Sequence, residues 1–167
     1  MCPSLLNDCK LPSLEEVCKI RISKRSECKK IVLTNGCFDL LHAGHVYSLK
    51  QAAQLGDELW VAINSDSSVK KIKGPSRPIY NEMQRAFLLL SNSCVNLVFL
   101  FDGKNLSNEI EAIQPDIYAK SGDYSLESIN HEERIALEKA NASVKFVDFI
   151  EGISTSETIS RISNLGS

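Results

Sequence analysis

The chain contains no Walker A sequence and no Gly-x-Gly-x-x-Gly, so neither a P-loop nor a dinucleotide fingerprint is present to hold phosphate. It has no apolar run near the ~20 residues of a membrane span. Its opening, MCPSLLNDCK, lacks the charged and apolar regions of a secretory signal. The cysteines at 2, 9, 18, 28, 37 and 94 form no C-x-x-C pair, which disfavours a zinc site. A full core needs no disulfide staples, so reduced thiols in a cytoplasmic protein are the expectation. Basic residues do not predominate: 19 Lys and Arg face 21 Asp and Glu, a net charge of −2. A general nucleic-acid binder would be basic, so no nucleic-acid partner and no membrane contact are expected. An anionic ligand would instead have to be held by a local basic cluster. The 167 residues, 43% hydrophobic and 24% charged, suit one globular domain that buries ~70% of its unfolded surface.

What the chain does have is concentrated in residues 31–49, IVLTNGCFDLLHAGHVYSL. Ile31, Val32 and Leu33 form a short β-rich run, which Thr34, Asn35 and Gly36 break. Gly36 is free to take φ > 0 at this turn. Beyond Asp39 the spacing becomes helical, with Leu41, Val46, Leu49, Ala52 and Ala53 near one face. A strand, a tight turn and a helix are therefore expected, with His42 and His45 close to the helix start. Unpaired N–H groups and the positive end of the dipole make such a start a site for an anion, most often phosphate.

Elsewhere, Ser13 and Glu16 read as a capping box before a short helix, and Gly56 marks the end of the helix after the histidines. Further strands are expected at 59–63, 95–101, 117–119 and 144–149, with helices at 67–73, 81–91, 106–113, 131–140 and 154–163. The fold class is α/β: a single Rossmann-like domain with an open parallel five-stranded sheet and helices on both faces. Residues 1–30 read as an N-terminal extension with a short helix, and 31–163 as the domain proper. The unusual segments TNGCFD, NSD, KSGDY and EGISTS all fall at the carboxyl ends of strands, where open α/β sheets bind ligands.

GCFDLLHAGH, NSDSSVKKIKGPSRPI, KSGDY and EGISTS, in this order over residues 30–162, resemble the nucleotidyltransferase superfamily that carries a HxGH signature. Within it they resemble the adenylyltransferase domain of ADP-heptose synthases, and more distantly glycerol-3-phosphate and phosphoethanolamine cytidylyltransferases. Residues 64–79 favour the heptose branch. Glycerol-3-phosphate cytidylyltransferases also place an arginine shortly before their ISTT segment, where this chain has Asp148-Phe149-Ile150.

The resemblance implies that heptose 1-phosphate attacks the α-phosphorus of ATP, giving ADP-heptose and pyrophosphate, with Mg²⁺ carried on ATP. It implies a bacterial cytoplasmic enzyme of lipopolysaccharide synthesis. A sugar kinase is expected on a separate chain, and residues 1–30 fit either a homodimer contact or a cover over the sheet edge. His42 and His45 are the expected phosphate donors, and Lys73 the catalytic cation. Asn35, Gly36, Cys37, Phe38, Gly122, Asp123, Ser154, Thr155 and Ser156 are expected at the nucleotide.

Asp39, Asp66, Arg77 and Arg85 are expected toward the substrate. Asp39 fits equally a histidine-orienting role or an Asx turn, and Asp66 a sugar contact or a helix cap. Arg85 fits a reach into the site or a surface ion pair. Lys73 and Arg77 are placed on a Gly/Pro loop, and Lys70 and Lys71 on a solvated face. Ser154 and Glu157 form a second S-x-x-E capping pattern, and no metal ligands are assigned. Ser121 stands where the family has a glycine, which leaves adenine over cytosine less secure. The alternatives are a cytidylyltransferase acting on a small phosphorylated alcohol and a non-catalytic nucleotide-binding module. A Cys37/His42 nucleophile is a third, against which Cys37 reads more simply as a small buried hydrophobe.

Overall fold

In a computed structural model, residues 10–121, 126–150 and 152–165 are described. Five strands alternate with helices: β1 (Ile31–Gly36), β2 (Glu58–Asn64), β3 (Leu97–Phe101), β4 (Ile117–Ser121) and β5 (Ser143–Val147). They pair in parallel in the order β3-β2-β1-β4-β5. Among the described residues seven α-helices flank the sheet: α1 (Leu14–Ser26), α2 (Ala43–Ala53), α3 (Asp66–Lys73), α4 (Glu82–Leu90), α5 (Ser107–Ile113), α6 (His131–Lys139) and α7 (Thr155–Asn164). The expected α/β, Rossmann-like fold is the observed one.

Strand periodicity splits the apolar residues between two layers. Leu33, Trp60, Phe99 and Tyr118 face one side, where Val17 of α1, Ile110 of α5 and Ala136 of α6 pack on them. Val32, Val61, Val98 and Ala119 face the other, against Leu49 of α2 and Leu89 of α4. This is why β2 is apolar without interruption: six of its seven residues are buried. Helix α1 begins at the capping box of Ser13 and Glu16. It is docked by Arg21, which donates to the carbonyls of Gln114 and Lys29 and pairs with Asp116 at 3.0 Å.

Strand order reverses at β1, which sits between β2 and β4. The chain leaves β1 toward the β2 side and returns to pair β4 on the other, so a crevice opens at the carboxyl ends of β1 and β4. One buried side chain fixes the wall of that crevice. Arg85 of α4 is wholly excluded from solvent. It donates to the carbonyls of Tyr80, Cys37 and Asn64 and to Asp66 Oδ1, at 2.7–3.1 Å. The chain following β1, the end of β2, the start of α3 and the start of α4 are thereby tied to one planar cation. Arg85→Met leaves four acceptors without their donor and is expected to cost about 3–5 kcal/mol in urea unfolding. A loss below ~1 kcal/mol would mean the clamp is dispensable.

Candidate active site

The turn after β1 brings the two histidines together. Gly36 does not need the left-handed conformation expected of it. That conformation falls on Phe38 (φ 48°). Gly36 is required for room instead, since a Cβ there would stand 3.0 Å from the Phe38 ring. The Phe38 ring in turn tilts against His45, with centroids 5.1 Å apart. His42 is the N-cap of α2, its Nδ1 accepting the His45 backbone N–H at 3.4 Å. With Nδ1 accepting, the ring proton sits on Nε2, directed away from the helix. The two imidazoles stack at 3.7 Å and 21°.

Stacked imidazoles resist sharing two positive charges. Burial lowers the pKa of both, and for His45 it falls to about 4, through burial first and then the nearby His42 and Lys73. The Leu40 carbonyl pulls His45 slightly upward, although His45 Nδ1 makes no hydrogen bond of good geometry. Both rings are therefore neutral donors at pH 7.

The crevice has two lobes that share His45, Ser48, Lys73, Ser121 and Thr155. The inner lobe is floored by Thr34, Asn35, Gly36, Cys37 and Lys120. The outer lobe is bounded by His42, Phe149, Ile153, Ser154 and Ser156. Helix α7 starts here: Ser154 accepts the Glu157 N–H at 3.1 Å, but its reciprocal capping arm is not formed. The Thr155 hydroxyl donates to the Leu40 carbonyl at 3.4 Å, which joins the α7 start to the histidine turn. Gly44 lets the two approach, since its Cβ would meet His42 Nδ1 at 3.1 Å and the Ile153 carbonyl at 3.7 Å.

Lys73 is the last residue of α3 rather than part of the loop, and its chain reaches both lobes. The loop that follows is held down by Asp39. That carboxylate, fully buried, neither orients a histidine nor closes an Asx turn. One oxygen meets Arg77 Nη1 at 2.6 Å and the other accepts the Ile79 N–H. Arg77 is therefore spoken for, with only 13% of its side chain exposed. Lys70 and Lys71 are exposed on the far side of α3.

Asp66 and Arg85, both expected toward the substrate, line neither lobe. They pair with each other at 2.8 Å behind the wall, and Ser65, not Asp66, caps α3. Arg85 is thus neither a ligand contact nor a surface ion pair. Cys37 lines the inner lobe, but burial pushes its thiol up, away from the thiolate a nucleophile needs. Gly122 and Asp123 lie outside the described residues. Ser121, noted in the sequence as replacing a family glycine, lines both lobes, while Ser48, Lys120 and Phe149 line the crevice without having been assigned a role. Helical spacing from His42 and His45 points to Ser48; Lys120 opens the KSGDY segment at the end of β4, but nothing in the pattern separates it from its neighbours.

Known proteins match this arrangement. Residues 33–161 fit the family model described as cytidylyltransferase-like. The bifunctional protein HldE of Citrifermentans bemidjiense is 41% identical over 93% of this chain and 32% of its own length. HldE of Syntrophotalea carbinolica is 41% identical over 90% of this chain and 30% of its own. The chain thus spans about a third of the length of these curated relatives. A solved lipopolysaccharide core biosynthesis protein from Thermoplasma volcanium superposes with a TM-score of 0.60 at 28% identity, covering 73% of this chain and 97% of that one. Thermotoga maritima TmcAL, solved with alpha-thio ATP, shares the fold with a TM-score of 0.56 at 12% identity, over 82% of this chain and 51% of that one. The family match runs from β1 into α7 and takes in both lobes of the crevice, and the chain belongs to the cytidylyltransferase-like family of nucleotidyltransferases.

Proposed function

We propose that this chain transfers the AMP moiety of ATP to a sugar 1-phosphate, with heptose 1-phosphate as the acceptor and ADP-heptose as the product. The observation that carries the reading is the convergence of His42, His45, Lys73 and the α7 start on one crevice. The HldE relatives and the solved lipopolysaccharide core protein support the sugar. A sugar kinase supplies the phosphorylated acceptor, and the cytoplasm is where both substrates meet.

In this reading an oxygen of the sugar phosphate attacks the α-phosphorus in line, and the bond to the β-phosphate breaks. Charge moves toward the leaving pyrophosphate, so no protein nucleophile is needed. His42 Nε2–H and the His45 ring donate to the phosphate oxygens, and the Lys73 ammonium offsets the growing charge. Ser154, Ser156 and the first N–H groups of α7 hold the other end of the triphosphate.

Magnesium enters as MgATP, part of the substrate. Among the described residues no three His, Cys, Asp or Glu side chains converge on an ion position. Asp39, the carboxylate among the described lining residues, is tied to Arg77. These donors fit a metal carried by the triphosphate.

The rival substrate pair is CTP with a small phosphorylated alcohol, cytidylyl transfer being what the family is described by. Pyrophosphate release with Mg²⁺ and each of ATP and CTP, against heptose 1-phosphate and glycerol 3-phosphate, separates the two. Turnover is expected with ATP and heptose 1-phosphate; turnover confined to CTP would replace the reading. His45→Ala is expected to lower kcat by about 10²–10³ with the fold intact by circular dichroism.

Protonation gives a further expectation. A triphosphate beside His45 raises a pKa that stands at about 4 in the free protein. Between that value and the higher bound one, the complex holds more protons than the free protein. Calorimetric titration of MgATP at pH ~5.5, in two buffers of different ionisation enthalpy, is expected to show proton uptake that shrinks in His45→Gln. Equal uptake in both proteins would place the triphosphate away from that ring.

A further inference from the structure

The floor of the inner lobe is a polar network that the reaction described above does not use. Asn35 Oδ1 lies 2.8 Å from Lys120 Nζ and 3.0 Å from the Tyr118 hydroxyl. Behind them stands Glu133 of α6, 4% exposed, with Oε2 3.2 Å from the same hydroxyl and 3.7 Å from Lys120 Nζ. Its other oxygen accepts the Leu106 N–H at 2.9 Å. Lys120 also lies over the Tyr118 ring, 5.0 Å from its centroid.

Proton counting makes Lys120 decisive. Tyr118 has one hydroxyl proton, and Asn35 Oδ1 and Glu133 Oε2 both lie within its reach. Left to itself it gives that proton to the charged Glu133, because hydrogen bonds to ions are the stronger. Its oxygen then accepts from Asn35, whose amino group turns inward. The ammonium forbids this arrangement. A lysine cation donates and never accepts, so the Asn35 atom facing it must be the carbonyl oxygen. The Asn35 amino group is then turned outward. It donates to none of the described residues, and Asn35 lines the inner lobe.

We propose that Lys120 is a positioning residue: it holds the Asn35 carboxamide with oxygen inward and amino group toward the inner lobe, so that this lobe reads a hydrogen-bond-accepting oxygen of the sugar phosphate. The triphosphate's donors gather at the outer lobe and the junction, around His42, His45 and the α7 start. Asn35, expected from the sequence at the nucleotide, is here assigned to the acceptor instead, whose hydroxyl and phosphate oxygens suit a donor on the floor of this lobe. The identity of that ligand rests on the adenylyl-transfer reading; the orientation of the amide does not.

Two measurements test this separately. The first is hydrogen exchange of the Asn35 side-chain amide by NMR, assigned by its loss in Asn35→Asp. It is expected to be fast in the wild-type protein and slowed in Lys120→Met, where the group turns toward Tyr118. The second is steady-state kinetics with ATP and heptose 1-phosphate. Lys120→Met and Asn35→Asp are each expected to raise the KM for heptose 1-phosphate about tenfold or more, with the KM for ATP within about twofold, since an acceptor then faces an acceptor.

Lys120→Arg, still a pure donor, restores most of the loss. Tyr118→Phe keeps the ammonium in place and shifts either KM by less than about threefold. The inference is overturned if Lys120→Met leaves amide exchange unchanged, leaves the sugar KM unchanged, or moves the KM for ATP instead. Wild-type protein that releases no pyrophosphate from ATP and heptose 1-phosphate removes the adenylyl-transfer reading, and the exchange measurement then decides the positioning role alone.

Discussion

The crevice at the strand ends depends on one cation that never touches it. Parallel strands end with their carbonyls pointing into the region where ligands bind, and those carbonyls need partners if the wall is to be dry and rigid. Arg85 satisfies the carbonyls of Cys37, just past β1, and Asn64, the last residue of β2, with one guanidinium. Its remaining contacts reach Tyr80 and Asp66, so the loop and α3 hang from the same group. A planar fork with five donors suits this task, and lysine would not replace it. Lys73 and the histidine turn are placed against each other because the elements carrying them share this anchor.

The cap that His42 places on α2 decides what the histidine pair can offer the crevice. His42 caps α2 through Nδ1, and for that reason its Nε2–H is turned outward. Capping sets the tautomer, stacking sets the plane, and burial keeps both rings neutral. Neutral donors hold an anion less tightly than cations would, so a charged product can leave.

The fold was legible because its cues were local and strong. Uninterrupted apolar runs such as Leu59–Ile63 signalled strands covered on both faces, and the cluster of turn residues at strand ends marked the binding edge. The histidine pair was legible for the same reason, since strand, turn and helix start are contiguous in sequence. Pairings between distant segments were not legible. Asp39 meets Arg77 and Ile79 across forty residues, and no local pattern distinguishes that from an Asx turn. Arg85 looks like any helix-surface arginine until the strand ends surround it. Lys120 acquires its role only beside Asn35, 85 residues away. Gly36 was picked out correctly as special for the wrong physical reason: what it supplies is space for Phe38, not a left-handed backbone.

The placement of β1 between β2 and β4 has a consequence for how the protein comes into being. Pairing β1 with β2 closes a modest loop, whereas pairing Val32 with Ile117 closes one roughly three times as long, at an entropic cost that must be met before the contacts repay it. The crevice lies across that second seam. Chains that stop short of β4 keep the His42 and His45 turn and the Asn35 part of the floor but lack Lys120 and the start of α7, so the crevice closes only once the late strands have joined.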